Sequence, residues 1–169
     1  SLIIKKHLPE IEKIIDTVVN SFNEGGRLFY VGCGTSGRIG VLDASECPPT
    51  FSVDSSLIQG VIAGGNRALT QSVENAEDSI EDGKNIMLKN NISSKDVVIG
   101  ITASGSAKFV LGSLSMSKKK NALTVLITFN KLEKIKYINY IISTIVGPEI
   151  ISGSTRLKAG TATKMILNM

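Results

Sequence analysis

Residues 31–51 read Val31-Gly-Cys-Gly34-Thr-Ser-Gly37-Arg-Ile-Gly40-Val-Leu-Asp43-Ala-Ser-Glu46-Cys-Pro-Pro49-Thr-Phe51, and the order of residue types in this stretch decides the fold. It follows Arg27-Leu-Phe-Tyr-Val31, a short apolar run of strand type, so the glycines fall where a parallel strand hands over to a helix. A helix N-terminus carries unpaired backbone N–H groups and partial positive charge, and glycines at 32, 34 and 37 allow close approach of an anion. Thr35 and Ser36 add hydroxyl donors. The segment Gly34, Thr35, Ser36, Gly37 is therefore read as a phosphate-binding loop.

Gly32-x-Gly34-x-x-Gly37 also matches the dinucleotide fingerprint, which requires an acidic residue after the second strand to hold the ribose. The second strand candidate, 57–63, runs instead into Ala63-Gly-Gly-Asn66, and the nearest acid, Asp54, precedes it. A small phosphorylated ligand fits better than a nucleotide.

Outward from this loop, Leu8, Ile11, Ile14, Ile15, Val18, Val19 and Phe22 repeat at helical spacing up to Gly25-Gly26, predicting an amphipathic helix over one sheet face. Strands are predicted at 27–32, 57–63, 96–102, 123–129 and near 141–146. The intervening helices are expected from about 37, over 66–90, over 106–120 and from about 155. Strands written as continuous apolar runs indicate a parallel sheet buried on both faces, that is, an α/β three-layer αβα sandwich. Ligands in such sheets sit beyond the C-terminal strand ends, so the loops at 32–37, 63–66, 102–106 and 147–154 should converge.

The 169 residues fit one domain, with no linker or low-complexity segment and neither a membrane-length apolar run nor a signal-peptide pattern. The chain is expected to be cytoplasmic. Cys33 and Cys47 form no CxxC pair and are expected to be reduced thiols. His7 is the one histidine, which excludes histidine triads and His-rich metal sites. The net charge of +4 is concentrated in Lys118-Lys-Lys120, Lys131, Lys134 and Lys136 without interleaved aromatics, so neither nucleic acid nor a membrane is the expected partner.

Thr102-Ala-Ser104-Gly105-Ser106 repeats the logic of the first loop: a strand ends, small hydroxyl residues turn the chain, a helix starts. Gly153-Ser154-Thr155 is expected to open the last helix in the same way. Glu46 stands about three turns beyond the first loop, just before Pro48-Pro49, which should end its helix. Glu77 is expected at the edge of the buried stripe of helix 66–90. From spacing alone, each glutamate reads first as a surface acid, Glu46 solvated and Glu77 salt-bridged, and only second as a catalytic one.

Gly34–Thr50, Ala63-Gly-Gly65, Val73-Glu-Asn-Ala-Glu-Asp78, Ala103-Ser-Gly105, and Val146-Gly-Pro-Glu through Gly153-Ser-Thr-Arg-Leu-Lys-Ala-Gly-Thr161 resemble the N-acetylmuramic acid 6-phosphate etherases, a family of sugar-isomerase-type (SIS) domains related to the glucokinase regulatory protein. The resemblance implies a flavodoxin-like parallel sheet and a single phosphosugar-binding domain over 1–169, without the family's extra N-terminal segment and C-terminal helical region. It implies a carbon–oxygen lyase of cell-wall amino-sugar recycling that uses neither metal nor organic cofactor. A base removes the proton alpha to the opened sugar's aldehyde, the D-lactyl ether leaves, and water adds to give N-acetylglucosamine 6-phosphate. The family's two functional glutamates match Glu46, as acid, and Glu77, as base. Its phosphosugar cradle matches Gly34, Thr35, Ser36, Gly37, Ser104, Gly105, Ser106, Ser154 and Thr155. A homodimer with sites near the subunit interface is expected. The departure at Ser106-Ala107-Lys108-Phe109, where the family has a basic residue followed by Thr-Pro-aromatic, favours the alternative of a non-catalytic phosphosugar sensor.

Overall fold

The computed structural model describes residues 2–169. Five strands, β1 (Leu28–Gly32), β2 (Ile58–Ile62), β3 (Val97–Ile101), β4 (Leu123–Thr128) and β5 (Tyr140–Ser143), form one sheet in the order β2-β1-β3-β4-β5. All four pairings are parallel. This is the flavodoxin-like order, in which the strand succession reverses between β1 and β3 and opens a crevice at their C-terminal ends.

Successive side chains of a strand point to opposite faces, and both faces are apolar here. Leu28, Tyr30, Ile99, Val125 and Ile142 pack beneath α2 (Leu8–Asn23), α3 (Gly34–Phe51) and α7 (Lys158–Leu167). Phe29, Val31, Val98 and Leu126 pack beneath α5 (Ile80–Lys89) and α6 (Lys108–Lys119). Every residue of β1 and β3 is buried, as the unbroken apolar runs predicted, whereas the edge strand β2 is only half-buried over Ile58–Val61. Two short helices, α1 (Leu2–Lys5) and α4 (Arg67–Thr70), complete the chain.

Opposite the crevice, Asp96 locks the sheet's other edge. Its carboxylate accepts from Arg27 N, Nε and Nη2 at 2.9, 3.1 and 2.9 Å, and from Ser93 N and Oγ at 2.8 and 3.1 Å. Burial alone would raise this carboxyl's pKa; the Arg27 and Ser93 donors outweigh it and hold the group below the usual carboxylate range.

Two expectations are corrected. The helix expected over 66–90 is broken: α4 ends at Thr70, residues 74–77 form turns, and α5 starts at Ile80. The start signal is local, because Ser79 Oγ accepts from Asp82 N at 3.0 Å and Glu81 and Asp82 occupy the positive end of the helix. Asn75, at φ 57°, supplies the left-handed residue that a continuous helix cannot contain. Pro48 and Pro49 do not end α3 either. The helix runs on to Phe51, with Cys47 buried against the core, and closes where Ser52 N donates to Pro48 O at 2.9 Å. Tertiary packing outweighs the two missing donors.

Candidate functional site

The loops that follow β1 and β3 flank the strand-order reversal. After β1 the chain turns at Gly34, whose φ of +52° is strained for any residue with a Cβ, and α3 starts there, three residues earlier than expected. Gly37 is required for another reason: a methyl at this position would lie 2.6 Å from Ile62 Cγ1 and 2.8 Å from Gly32 O, so α3 reaches this close to the sheet only without one. Ser36 is buried under the same turn and Thr35 half-buried.

After β3, Ser104 Oγ lies 2.8 Å from Ser106 Oγ and 3.4 Å from Thr102 Oγ1, and accepts from Ser106 N at 3.2 Å. Gly105 packs over Leu132. These hydroxyls form one chain at the mouth of the crevice, with Ser104 and Ser106 exposed.

Glu77 is brought to this edge by the turn that replaces the expected helix. Its carbonyl accepts from Phe109 N at 2.9 Å, tying the turn to the start of α6, and Asp78 pairs with Lys108 at 3.5 Å. Glu77, Cys33, Gly34, Arg38 and Val73 line a cleft of about 290 Å³. Burial, then the Glu77 and Asp78 carboxylates, push the Cys33 thiol up to about 12, so this cysteine is no nucleophile. Arg38 braces the cleft, donating through Nε to Leu69 O at 3.2 Å and through Nη2 to Gln71 O at 3.0 Å.

The third loop joins at the start of α7. Around Gly160 a methyl would sit 3.4 Å from Thr155 O and 3.6 Å from Thr35 Cγ2, so Thr155 stands against the first loop, with Ser154 closing the preceding turn through its N–H to Ile151 O at 3.0 Å. Gly153-Ser154-Thr155 does not open the helix, however. α7 begins at Lys158, and its first amides are taken by Glu149, whose carboxylate accepts from Lys158 N and Ala159 N at 2.9 Å each. Those two bonds hold Glu149 below its ordinary carboxyl range. The sequence hides this cap because Glu149 stands nine residues before the amide it serves, outside any local capping pattern.

Glu46 lies elsewhere. From Ser36 it is ten residues along α3, about 15 Å at 1.5 Å per residue, towards the N-terminal edge of the sheet. It lines a different and larger cavity, about 570 Å³, between α2, α3 and α7. The structure thus gathers the three loops and Glu77 at one edge and leaves Glu46 outside that group. Beside Glu46, Asp43 accepts from Lys164 Nζ of α7 at 2.9 Å, a pairing 121 residues apart in sequence that sequence reading missed. Burial first, then the Asp43 and Cys47 charges, raise the Tyr30 hydroxyl's pKa beneath them.

A parallel sheet with hydroxyl- and glycine-rich loops at its reversal point defines a flavodoxin-like α/β domain, and comparison with known proteins gives its family. The family profile of the glucokinase regulatory protein N-terminal SIS domain matches residues 10–118, and the chain belongs to that family. It is 51% identical over 167 residues to the N-acetylmuramic acid 6-phosphate etherase of Clostridium acetobutylicum, covering 98% of this chain and 55% of that protein. It is 50% identical to the etherase of Caldanaerobacter subterraneus, covering 99% and 55%. The chain therefore spans about half the length of the curated relatives it matches. Among solved structures, a phosphoheptose isomerase from Francisella tularensis superposes with TM-score 0.65 at 16% identity, covering 95% of this chain and 82% of the other. The Vibrio vulnificus NanR protein complexed with ManNAc-6P superposes with TM-score 0.59 at 12% identity, covering 94% and 50%. These two establish the fold alone. No helix among the described residues is long and apolar enough to cross a membrane.

Proposed function

We propose that the chain is the phosphosugar-binding domain of a cytoplasmic etherase that cleaves the D-lactyl ether of N-acetylmuramic acid 6-phosphate, acting as a homodimer in amino-sugar recycling. The observation that carries this reading is Glu77 lining a cleft with Gly34 of the first loop while its carbonyl accepts from Phe109 N at the start of the helix that follows residues 104–106, in a chain about half identical to named etherases.

In this reading the 6-phosphate lies on the amides and hydroxyls of Gly34, Thr35, Ser36, Gly37, Ser104, Gly105 and Ser106, with Ser154 and Thr155 closing the third side. The start of α3 attracts the anion through its free N–H groups and positive end. Glu77, beside this cradle, takes the C2 proton of the opened sugar. The electron pair forms the C2–C3 double bond, the C3–oxygen bond breaks, and the departing ether oxygen takes a proton from Glu46. Water then adds across the double bond. Because Glu46 lies about 15 Å along α3 from its own chain's loop, the acid in each site comes from a second copy. Leu8, Ile15 and Val19 on the outer face of α2 are exposed apolar positions for that copy to cover.

Incubation of the full natural chain with N-acetylmuramic acid 6-phosphate should release D-lactate. Tight binding of the phosphosugar with no lactate would instead support the sensor reading, which the Ser106-Ala107-Lys108-Phe109 loop favours.

A further inference from the structure

The cavity beside Glu46 has a chemistry that the reading above leaves unused. Its walls are apolar, from Ile14, Val18, Ile127 and Ile142, while its polar lining includes Asp43, Glu46 and Lys164. Lys164 is the one cation among the described residues that line it. One of its three N–H donors is spent on Asp43, whose side chain is 11% exposed, while the lysine side chain itself is 40% exposed. The aspartate is thus tucked inward while the lysine side chain is partly exposed. Asp43 precedes Glu46 by three residues on α3, one helical turn, so the ammonium and the Glu46 carboxyl share one rim.

The leaving group explains why a cation belongs there. In a lactyl ether the ether oxygen and the carboxylate carbon are bonded to the same carbon, which sets a carboxylate oxygen within about 3 Å of the ether oxygen. Any group that protonates the ether oxygen therefore works next to a full negative charge. Left unpaired in a partly apolar site that charge is costly; an adjacent ammonium with free donors compensates it. We propose that Lys164 is the specificity residue for the leaving group, its ammonium binding the lactyl carboxylate while Glu46 protonates the neighbouring ether oxygen. The inference rests on the etherase reading and on Glu46 as the acid. Asp43 is a positioning residue that holds the lysine Nζ at the rim, and D-lactate departs with its carboxylate still on Lys164.

The test compares two substrates in the full natural chain: N-acetylmuramic acid 6-phosphate and the same sugar phosphate with its lactyl carboxylate converted to the uncharged amide. Lys164→Met should lower kcat/KM for the acid by about 10- to 100-fold, the worth of a charge-assisted contact, and leave the amide within twofold of wild type. Lys164→Arg should recover most of the loss. Equal losses on both substrates would show that Lys164 merely ties α7 to α3, and no loss on either would show that it has no role; both overturn the proposal while leaving the etherase reading intact. A wild-type chain that releases no lactate overturns the etherase reading itself, and this inference with it.

Discussion

Gly37→Ala tests how the fold builds the loop after β1. The added methyl would meet Ile62 Cγ1 at 2.6 Å and two backbone atoms of Gly32, the carbonyl oxygen at 2.8 Å and its carbon at 2.9 Å. Ile62 can rotate, but Gly32 is paired on both sides, with Ile62 of β2 and Ile101 of β3, and cannot retreat. Relief requires α3 to lift by about 0.5 Å or more, an overpacking cost of about 1–3 kcal/mol. In a domain of this size each kcal/mol moves Tm by about 2–4 °C, so calorimetry should record a fall of about 2–12 °C. The same lift withdraws the amides of Thr35 and Ser36 from a bound phosphate, so phosphosugar affinity should drop further than stability explains. Gly34→Asn separates the two glycines: nothing lies within 4 Å of a Cβ there and asparagine resists the left-handed region less than other residues with a Cβ, so this variant bears backbone strain alone and should lose less Tm than Gly37→Asn, which adds the clash. A Gly37→Ala chain with unchanged Tm and unchanged phosphosugar affinity would refute the steric argument.

Two further outcomes are expected. Asp96→Ala removes the acceptor of five hydrogen bonds and should cost about 2–4 kcal/mol in urea unfolding. Since the folded carboxyl lies below its unfolded value of about 3.9, its stabilisation is present above that pH and is lost as pH falls through the folded value. The variant should therefore lose less stability than wild type on acidification below about pH 4, and parallel curves would contradict the assignment. Cys33, pushed up to about 12, should alkylate at pH 8 about three orders of magnitude more slowly than a free cysteine, and Glu77→Gln should speed it. A Cys33 that reacts like free thiol would contradict its burial, and a Glu77→Gln chain with unchanged Cys33 reactivity would move Glu77 away from the loop.

The sheet was legible because β1, β3 and β4 are apolar runs ended by glycine or small hydroxyl residues, and the crevice was legible because those ends carry Gly34–Gly37 and Ser104–Ser106. The run 66–90 was misread because Leu69, Val73, Ala76 and Ile80 keep helical spacing straight through a turn; the competing signal was Asn75 and the Ser79–Asp82 cap. The Pro48-Pro49 pair was misread because burial of Cys47 is a tertiary fact. Glu149 capping α7 and Lys164 meeting Asp43 join residues far apart in the chain, and spacing rules read only near neighbours. The distance between Glu46 and the loop at 34–37 is implicit in the helix rise once both stand on α3, but only the structure shows where α3 begins and ends.

That distance gives the most direct test of a site shared between two copies. Glu46→Gln and Glu77→Gln, each alone, should reduce D-lactate release by about 10²- to 10⁴-fold. With the two variants co-expressed under different tags and the mixed dimer isolated through both, one of its two sites combines an intact Glu77 with the partner's intact Glu46. The other site holds both lesions. The mixed dimer should release D-lactate at about half the wild-type rate. A rate no higher than that of either single variant would mean that each site draws both glutamates from one chain, and would contradict the account.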